Sequence, residues 1–166
     1  MAITLVPACD HIRETGELFK EYTDMLIAGD SSFQQYLELQ HYDQELKHPQ
    51  DKYGLPCGRL YLAYCDEIPA GCIGLRKIDD LCCEMKRLYV RPAFRGRQIG
   101  TLLVRRIIED AVEIGYSCML LDTLPFLKSA IRLYKAFGFY ETGCYNDSPM
   151  DTSIYMRLDL KIHSRI

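Results

Sequence analysis

The segment KRLYVRPAFRGRQIGTLLVRR, residues 86–106, is the most informative part of this chain. It contains seven of the twenty basic residues and no acidic residue, although the whole protein has a formal net charge of −3. The seven are Lys86, Arg87, Arg91, Arg95, Arg97, Arg105 and Arg106. The segment reads as a strand, a loop containing Gly96 and Gly100, and an amphipathic helix. Free N–H groups at a helix start, the helix dipole and nearby arginines predict an anion site large enough for several phosphates.

Other phosphate-binding loops fit this segment poorly. A Walker A loop requires GxxxxGK[ST], but Gly96 and Gly100 are too close together and no lysine precedes Thr101. The GxGxxG dinucleotide fingerprint is absent from the chain. From charge alone, the alternative interpretation is a solvated basic helix start.

The pattern outward from this segment predicts one mixed α/β domain over residues 1–166. Strands are expected over residues 3–6, 59–65, 71–78, 82–90, 118–122 and 153–160. Helices are expected from Asp10 to Gly29, over 31–47, from Ile99 to the C-cap Gly115, and over 126–137. Residues 48–58 read as a loop, and the three strands between 59 and 90 as an antiparallel meander.

Composition excludes several classes of protein. With 48% hydrophobic and 26% charged residues, the chain is not expected to be disordered or fibrous. No apolar run reaches the length of a membrane helix, and the net charge gives no general reason to expect nucleic-acid binding. The eight cysteines form no CxxC pair, so we expect reduced, buried thiols in a cytoplasmic protein and no metal site.

Residues Arg95-Gly96-Arg97-Gln98-Ile99-Gly100 resemble the pyrophosphate-binding motif [Q/R]-x-x-G-x-[G/A] of the GNAT N-acetyltransferases. The first and last positions match, whereas Gln98 replaces the middle glycine. This difference is important only if the backbone at residue 98 needs a positive φ or a very close approach to phosphate.

A second motif strengthens the resemblance. The segment AIRLYKAFGFYETG, residues 130–143, is similar to the family pattern A-x-x-L-Y-x-x-x-G-F. The family often has asparagine three residues before this alanine, where this chain has Leu127. The resemblance covers residues 59–160 and implies a GNAT-like acyl-CoA N-acyltransferase fold. That fold has a central, mostly antiparallel sheet, splayed between strands 82–90 and 118–122 and flanked by helices.

The resemblance also implies acetyl-CoA as co-substrate, bound without a metal. Backbone groups of Leu88, Tyr89 and Val90 would bind the pantetheine arm. The N–H groups of the following loop would hold the pyrophosphate: Arg95, Gly96, Arg97, Gln98, Ile99, Gly100 and Thr101.

Two residues are candidates for catalysis. By strand alternation, Glu84 is expected on the same face as Leu88 and Val90, where an acid of the family often acts as general base. Tyr134 matches the family tyrosine near the coenzyme sulfur and is the candidate general acid. The alternatives are an ion-paired strand carboxylate and a packed helix tyrosine.

The acceptor is expected to be a primary amine of a small molecule. Alternatives are a protein N-terminus or lysine, or an acyl-CoA sensor without catalysis. Nine acidic residues suggest a cationic acceptor or only a solvated face: Glu14, Glu17, Glu21, Asp24, Asp30, Glu38, Asp43, Glu45 and Asp51. Aromatic candidates for the acceptor pocket are Phe33, Tyr36, Tyr42 and Tyr53. Because the family often forms dimers, a homodimer is expected as well.

Overall fold

The computed structural model describes residues 2–160 and contains a seven-stranded sheet of order β1-β2-β3-β4-β5-β7-β6. The strands are β1 (Ile3–Pro7), β2 (Arg59–Cys65), β3 (Ile68–Lys77), β4 (Cys82–Val90), β5 (Cys118–Thr123), β6 (Tyr140–Thr142) and β7 (Ile154–Asp159). Neighbouring strands are antiparallel except for β4 and β5. The predicted mixed α/β class with a mostly antiparallel sheet is confirmed.

Six helices cover the two faces of this sheet within the described range. They are α1 (Ile12–Gly29), α2 (Phe33–Leu39), α3 (Tyr42–Lys47), α4 (Gln50–Tyr53), α5 (Ile99–Ile114) and α6 (Lys128–Ala136). The apolar stripe of α5, including Leu103 and Ile107, packs with Met119 in the main hydrophobic core. On the other face, Phe19 of α1 packs against Leu62 of β2 in a second core. The helices therefore bury both faces of the central strands.

The predicted helix over residues 31–47 is wrong as one element. Helices α2 and α3 are separated at His41, whose φ of 57° lies in the left-handed region and interrupts the helical path. The segment predicted as a loop contains the short α4, and β6 has no predicted counterpart. These are short elements, for which hydrophobic periodicity gives little signal.

The sheet opens between β4 and β5. The two strands pair only where residues 82–84 meet residues 118–120. Beyond this point β5 stays paired with β7 along its whole length, whereas the edge of β4 facing β5 has no strand partner. The resulting V-shaped gap confirms the predicted splay.

A β-bulge at Arg87 changes the alternation of β4. The register with β3 shifts in this region, and Arg87 has a φ of 61°. Before the bulge, Cys83 and Met85 pack in the core under α5, so Glu84 between them lies on the opposite face of the sheet. After it, Leu88 and Val90 pack against that same α5 core. The prediction that Glu84 shares a face with Leu88 and Val90 is therefore wrong, because the inserted residue reverses the alternation.

A disulfide joins Cys82 and Cys118, which are paired residues of β4 and β5 with Cα atoms 4.8 Å apart. The prediction that all eight cysteines are reduced is wrong for these two, because strand pairing unites residues 36 positions apart. The expected burial is also wrong for Cys9 and Cys144, which are exposed. The cysteines therefore give no support for a cytoplasmic location. Between residues 2 and 160, the helices are too short or too polar to cross a membrane.

Candidate active site

A groove of about 570 Å³ runs along the open edge of β4 and is closed by the loop after β4 and by α6. Nine of the ten residues predicted to bind the cofactor line it: Leu88, Tyr89, Val90, Arg95, Gly96, Gln98, Ile99, Gly100 and Thr101. Arg97 is the exception, because its guanidinium lies 5.5 Å from the Phe94 ring centre and approaches the Cys65 sulfur at 3.6 Å. The side chain of Arg97 therefore points away from the groove.

The start of α5 presents free backbone donors to this groove. In the described chain, the N–H groups of Gly96, Gln98, Ile99, Gly100 and Thr101 make no hydrogen bond, and intrahelical bonding begins with Leu102 donating to the Gln98 carbonyl. A side chain at Gly100 would place its Cβ 3.3 Å from Leu133 Cδ2. Glycine therefore suits the close approach of α5 to α6, and the free donors fit the binding of a bulky anion.

Gln98 occupies a backbone conformation that suits glycine. Its φ is 65°, so the position of the family's middle glycine does require a positive φ. In the left-handed region, a residue with a Cβ destabilises the folded state by roughly 1–2 kcal/mol relative to glycine, whereas glycine stabilises the unfolded state by roughly 0.4–1 kcal/mol through its greater entropy.

We expect Gln98→Gly to stabilise the fold by about 0.5–1 kcal/mol in urea unfolding. The control is Gln35, an exposed residue of α2 with helical geometry. Gln35→Gly should destabilise the fold by a similar amount. Equal losses for both variants would contradict this prediction.

A second space, the cleft cavity, lies between β4, β5 and the helices α1 and α2. Its volume is about 30 Å³, enough for about two water molecules. Four residues line both this cavity and the groove: Tyr22, Leu88, Leu127 and Tyr134. The two spaces therefore meet at the residues around Tyr134.

Tyr134 has the properties expected of a proton donor at this junction. Its side chain is 7% exposed and packs on Phe139, with ring centres 5.8 Å apart. Within residues 2–160, no group forms a hydrogen bond with its hydroxyl. Burial raises the pKa of Tyr134 above its ordinary value of 10, so the hydroxyl keeps its proton at neutral pH.

Glu84, the predicted base, is 2% exposed and does not line the cleft cavity. Arg76 Nε donates to one of its oxygens at 2.6 Å, and Tyr145 Oη donates to the other at 2.5 Å. Burial acts to raise its pKa, but the charges of Lys86 and Arg76 outweigh burial and hold the pKa below its usual value. Glu84 thus orders its neighbours within an ion-pair network.

A different carboxylate, Asp122, lines the cleft cavity from the end of β5. Tyr36 Oη donates to Asp122 Oδ2, and Asn146 Nδ2 lies 3.0 Å from the same oxygen. Over the described range, Asp122 Oδ1 accepts no hydrogen bond. The adjacent Thr123 hydroxyl is buried and unpartnered in that same range. Sequence reasoning missed Asp122 and Asn146, and the only signal was an aspartate at the end of an apolar strand.

Lys86 and Arg87 line the opposite wall of the cleft cavity. Lys86 Nζ and Arg87 Nη2 each donate to Gln40 Oε1 at 2.8 Å. Burial lowers the pKa of Lys86 to about 8, which leaves it mostly charged at pH 7. Arg87 also donates twice to Glu45, at 2.7 and 2.9 Å.

The helical region contributes aromatic rather than acidic side chains to the cavity. Phe33 and Tyr36 line it, as predicted, but Tyr42 and Tyr53 do not. Tyr42 lies under the Arg87 guanidinium at 5.4 Å, and Tyr53 donates to Glu45. The nine acidic residues between 14 and 51 are all absent from the lining, so they give no support for a cationic acceptor.

Residues 2–160 contain no cluster of histidine, cysteine and carboxylate side chains suited to a metal ion.

Known proteins resemble this chain in sequence. The model of the acetyltransferase (GNAT) family matches residues 19–139. An uncharacterised N-acetyltransferase of Schizosaccharomyces pombe is 46% identical over 126 residues, covering 75% of this chain and 77% of the relative. An uncharacterised N-acetyltransferase of Dictyostelium discoideum is 33% identical, covering 97% of this chain and 100% of the relative.

Solved structures share the fold at lower identity. The PaiA N-acetyltransferase of Thermoplasma acidophilum, in complex with coenzyme A, has a TM-score of 0.74 at 17% identity and covers 96% of this chain and 99% of its own. YncA of Salmonella typhimurium, with its cofactor acetyl-CoA, has a TM-score of 0.65 at 18% identity and covers 96% and 95%.

Proposed function

The chain belongs to the GNAT family of acetyltransferases, and we propose that it transfers the acetyl group of acetyl-CoA directly to a primary amine of a small molecule. The observation that carries this proposal is the meeting of two spaces at Tyr134. One is a groove with free N–H donors, and the other is a polar cavity suited to an amine. Coenzyme A in the Thermoplasma neighbour and acetyl-CoA in the Salmonella neighbour support the choice of co-substrate.

The residues of the groove fit acetyl-CoA. The five free N–H groups from Gly96 to Thr101 would bind the pyrophosphate, and the unpaired edge of β4 at residues 88–90 would bind the pantetheine amides. Acetyl-CoA supplies an acetyl thioester, whose C–S bond breaks as the acceptor nitrogen forms a C–N bond.

We assign the proton transfers to Asp122 and Tyr134. Asp122 lines the cleft cavity, and its Oδ1, which accepts no hydrogen bond from the described chain, would accept the proton of the acceptor ammonium, directly or through water. The buried, protonated Tyr134 hydroxyl would donate a proton to the leaving thiolate. Glu84, expected from the sequence to be the base, becomes a positioning residue that holds Tyr145 and Arg76.

The small cavity favours a small-molecule acceptor over a protein N-terminus or lysine. The family membership and the free Tyr134 hydroxyl favour an enzyme over a sensor. A homodimer and a cytoplasmic location stay predictions.

Calorimetric titration with acetyl-CoA and with acetyl-pantetheine tests this function. We expect micromolar binding of acetyl-CoA and binding at least about 100-fold weaker for acetyl-pantetheine, because charge-assisted hydrogen bonds contribute roughly 1.5–3 kcal/mol each. Thiol release upon addition of amines should then reveal turnover. The variant Arg95→Met should weaken acetyl-CoA binding, whereas Arg106→Met, outside the groove, should not. Failure to bind acetyl-CoA at millimolar concentration would contradict the proposed function.

A further inference from the structure

Two buried cations of β4 converge on one neutral oxygen in the cleft cavity. Lys86 and Arg87 are 8% and 4% exposed, and both donate to Gln40 Oε1. The carboxylate oxygen closest to Lys86 Nζ, Glu84 Oε1, is 4.0 Å away and is held more closely by Arg76. A buried ammonium is costly unless an anion lies close to it. Lys86 therefore lacks a close anionic partner in the described chain.

The surrounding ion-pair network contains more cations than carboxylates. Four cations share two carboxylates: Lys52, Arg76, Lys86, Arg87, Glu45 and Glu84. Glu45 is bound at 2.7 Å by both Lys52 and Arg87, so its charge is already shared. An anionic group entering the cavity would complete the neutralisation of Lys86 and Arg87.

The β5 wall of the same cavity has the opposite character. Asp122 presents a carboxylate, and the Thr123 hydroxyl, in a residue only 6% exposed, has no partner among the residues described. A buried hydroxyl without a partner usually finds one in water or a ligand. The cavity thus has cations on one wall and, on the other, an anion beside an unused hydroxyl.

We propose that the acceptor is a small amino acid, whose carboxylate displaces Gln40 Oε1 from Lys86 and Arg87 while its amine faces Asp122. This inference rests on the proposed acetyl transfer and specifies the acceptor class. The cavity of about 30 Å³ is too small for such a ligand until the Gln40 side chain moves. Gln40 is half-buried and lies just beyond the end of α2, next to the helix break at His41.

Turnover of matched acceptor pairs tests this inference. Each free amino acid is compared with its own amide, which has the same side chain and amine but no carboxylate. We expect kcat/KM for the best amino acid to exceed that of its amide by about 30-fold or more, since two charged hydrogen bonds are lost. In Lys86→Met this preference should fall below about fivefold. Lys77→Met, an equal charge change at an exposed residue that pairs with Asp80 outside the cleft cavity, should keep it.

Gln40→Glu is a second variant that does not depend on removing a buried charge. Its own carboxylate would bind Lys86 and Arg87 and compete with the substrate. We expect KM for the amino acid to rise about tenfold or more while the Kd of acetyl-CoA is unchanged. Equal turnover of acids and amides, or better turnover of polyamines or peptide N-termini, would overturn this inference and leave acetyl transfer intact. Failure to bind acetyl-CoA would overturn both.

Discussion

Replacing Tyr134 with phenylalanine is expected to lower kcat about 100-fold while leaving the Kd of acetyl-CoA within about twofold of the wild type. Phenylalanine keeps the ring that packs on Phe139 and removes only the hydroxyl at the junction of groove and cavity. General acid catalysis contributes roughly 10²–10⁴-fold. We expect the lower end, because a thiolate whose conjugate acid has a pKa of about 8.5 leaves readily. Steady-state thiol release and calorimetry provide the two measurements.

Tyr116→Phe is the matched control for this variant. Tyr116 is equally well buried, but its hydroxyl donates to the Cys57 carbonyl, away from both the groove and the cleft cavity. Its kcat should stay within about twofold of the wild type. If Tyr134→Phe retained full kcat, Tyr134 would be only a packed helix tyrosine.

The second large effect concerns stability and Glu45. This carboxylate lies between Arg87 and Lys52, and Tyr53 donates to it at 2.9 Å. We expect Glu45→Ala to reduce the free energy of unfolding by about 3–5 kcal/mol, because it leaves the buried Arg87 charge without its anion. For a domain of this size the loss lowers Tm by roughly 6–20 °C. Glu17→Ala, which removes only an exposed pair with Arg13, should change stability by less than about 1 kcal/mol.

The same residue predicts the response to acid. Burial acts to raise the pKa of Glu45, but Arg87 and Lys52 outweigh it and lower the pKa from 4.5 to about 2. The stabilisation is therefore complete above about pH 4.5 and is lost as the pH falls towards 2. The shift corresponds to about 3 kcal/mol. Urea unfolding between pH 6 and pH 2.5 should show a loss that Glu45→Ala lacks, and parallel pH curves would contradict this assignment.

The long, strongly patterned elements could be predicted from the sequence, and the reason is periodicity. The stripe of α5 and the alternation of β7 each extend over six residues or more, so one face stands out. The Arg87 bulge could not be predicted, because a single inserted residue does not give β4 a distinctive composition. The single domain over residues 1–166 stays a prediction.

Of the two halves of the candidate site, the groove could be predicted from the sequence and the cleft cavity could not. The groove is built from contiguous segments around residues 88–101 and 130–134, which carry recognisable motifs. The cleft cavity takes single residues from distant segments: Gln40 follows α2, Asp122 ends β5, and Asn146 belongs to the loop before β7. No local pattern in the sequence indicates that these side chains meet. The error about Glu84 arose because an unbroken alternation was assumed across the bulge.

The Cys82–Cys118 disulfide lies at the closed end of the gap between β4 and β5. The covalent bond prevents the strands from separating there, so any change in the width of the gap is a rotation about this fixed end. Displacement then grows with distance from the pivot and is greatest near the open end, where the groove lies. A ligand that bridges the two strands at that end would therefore restrain their angle with the greatest leverage.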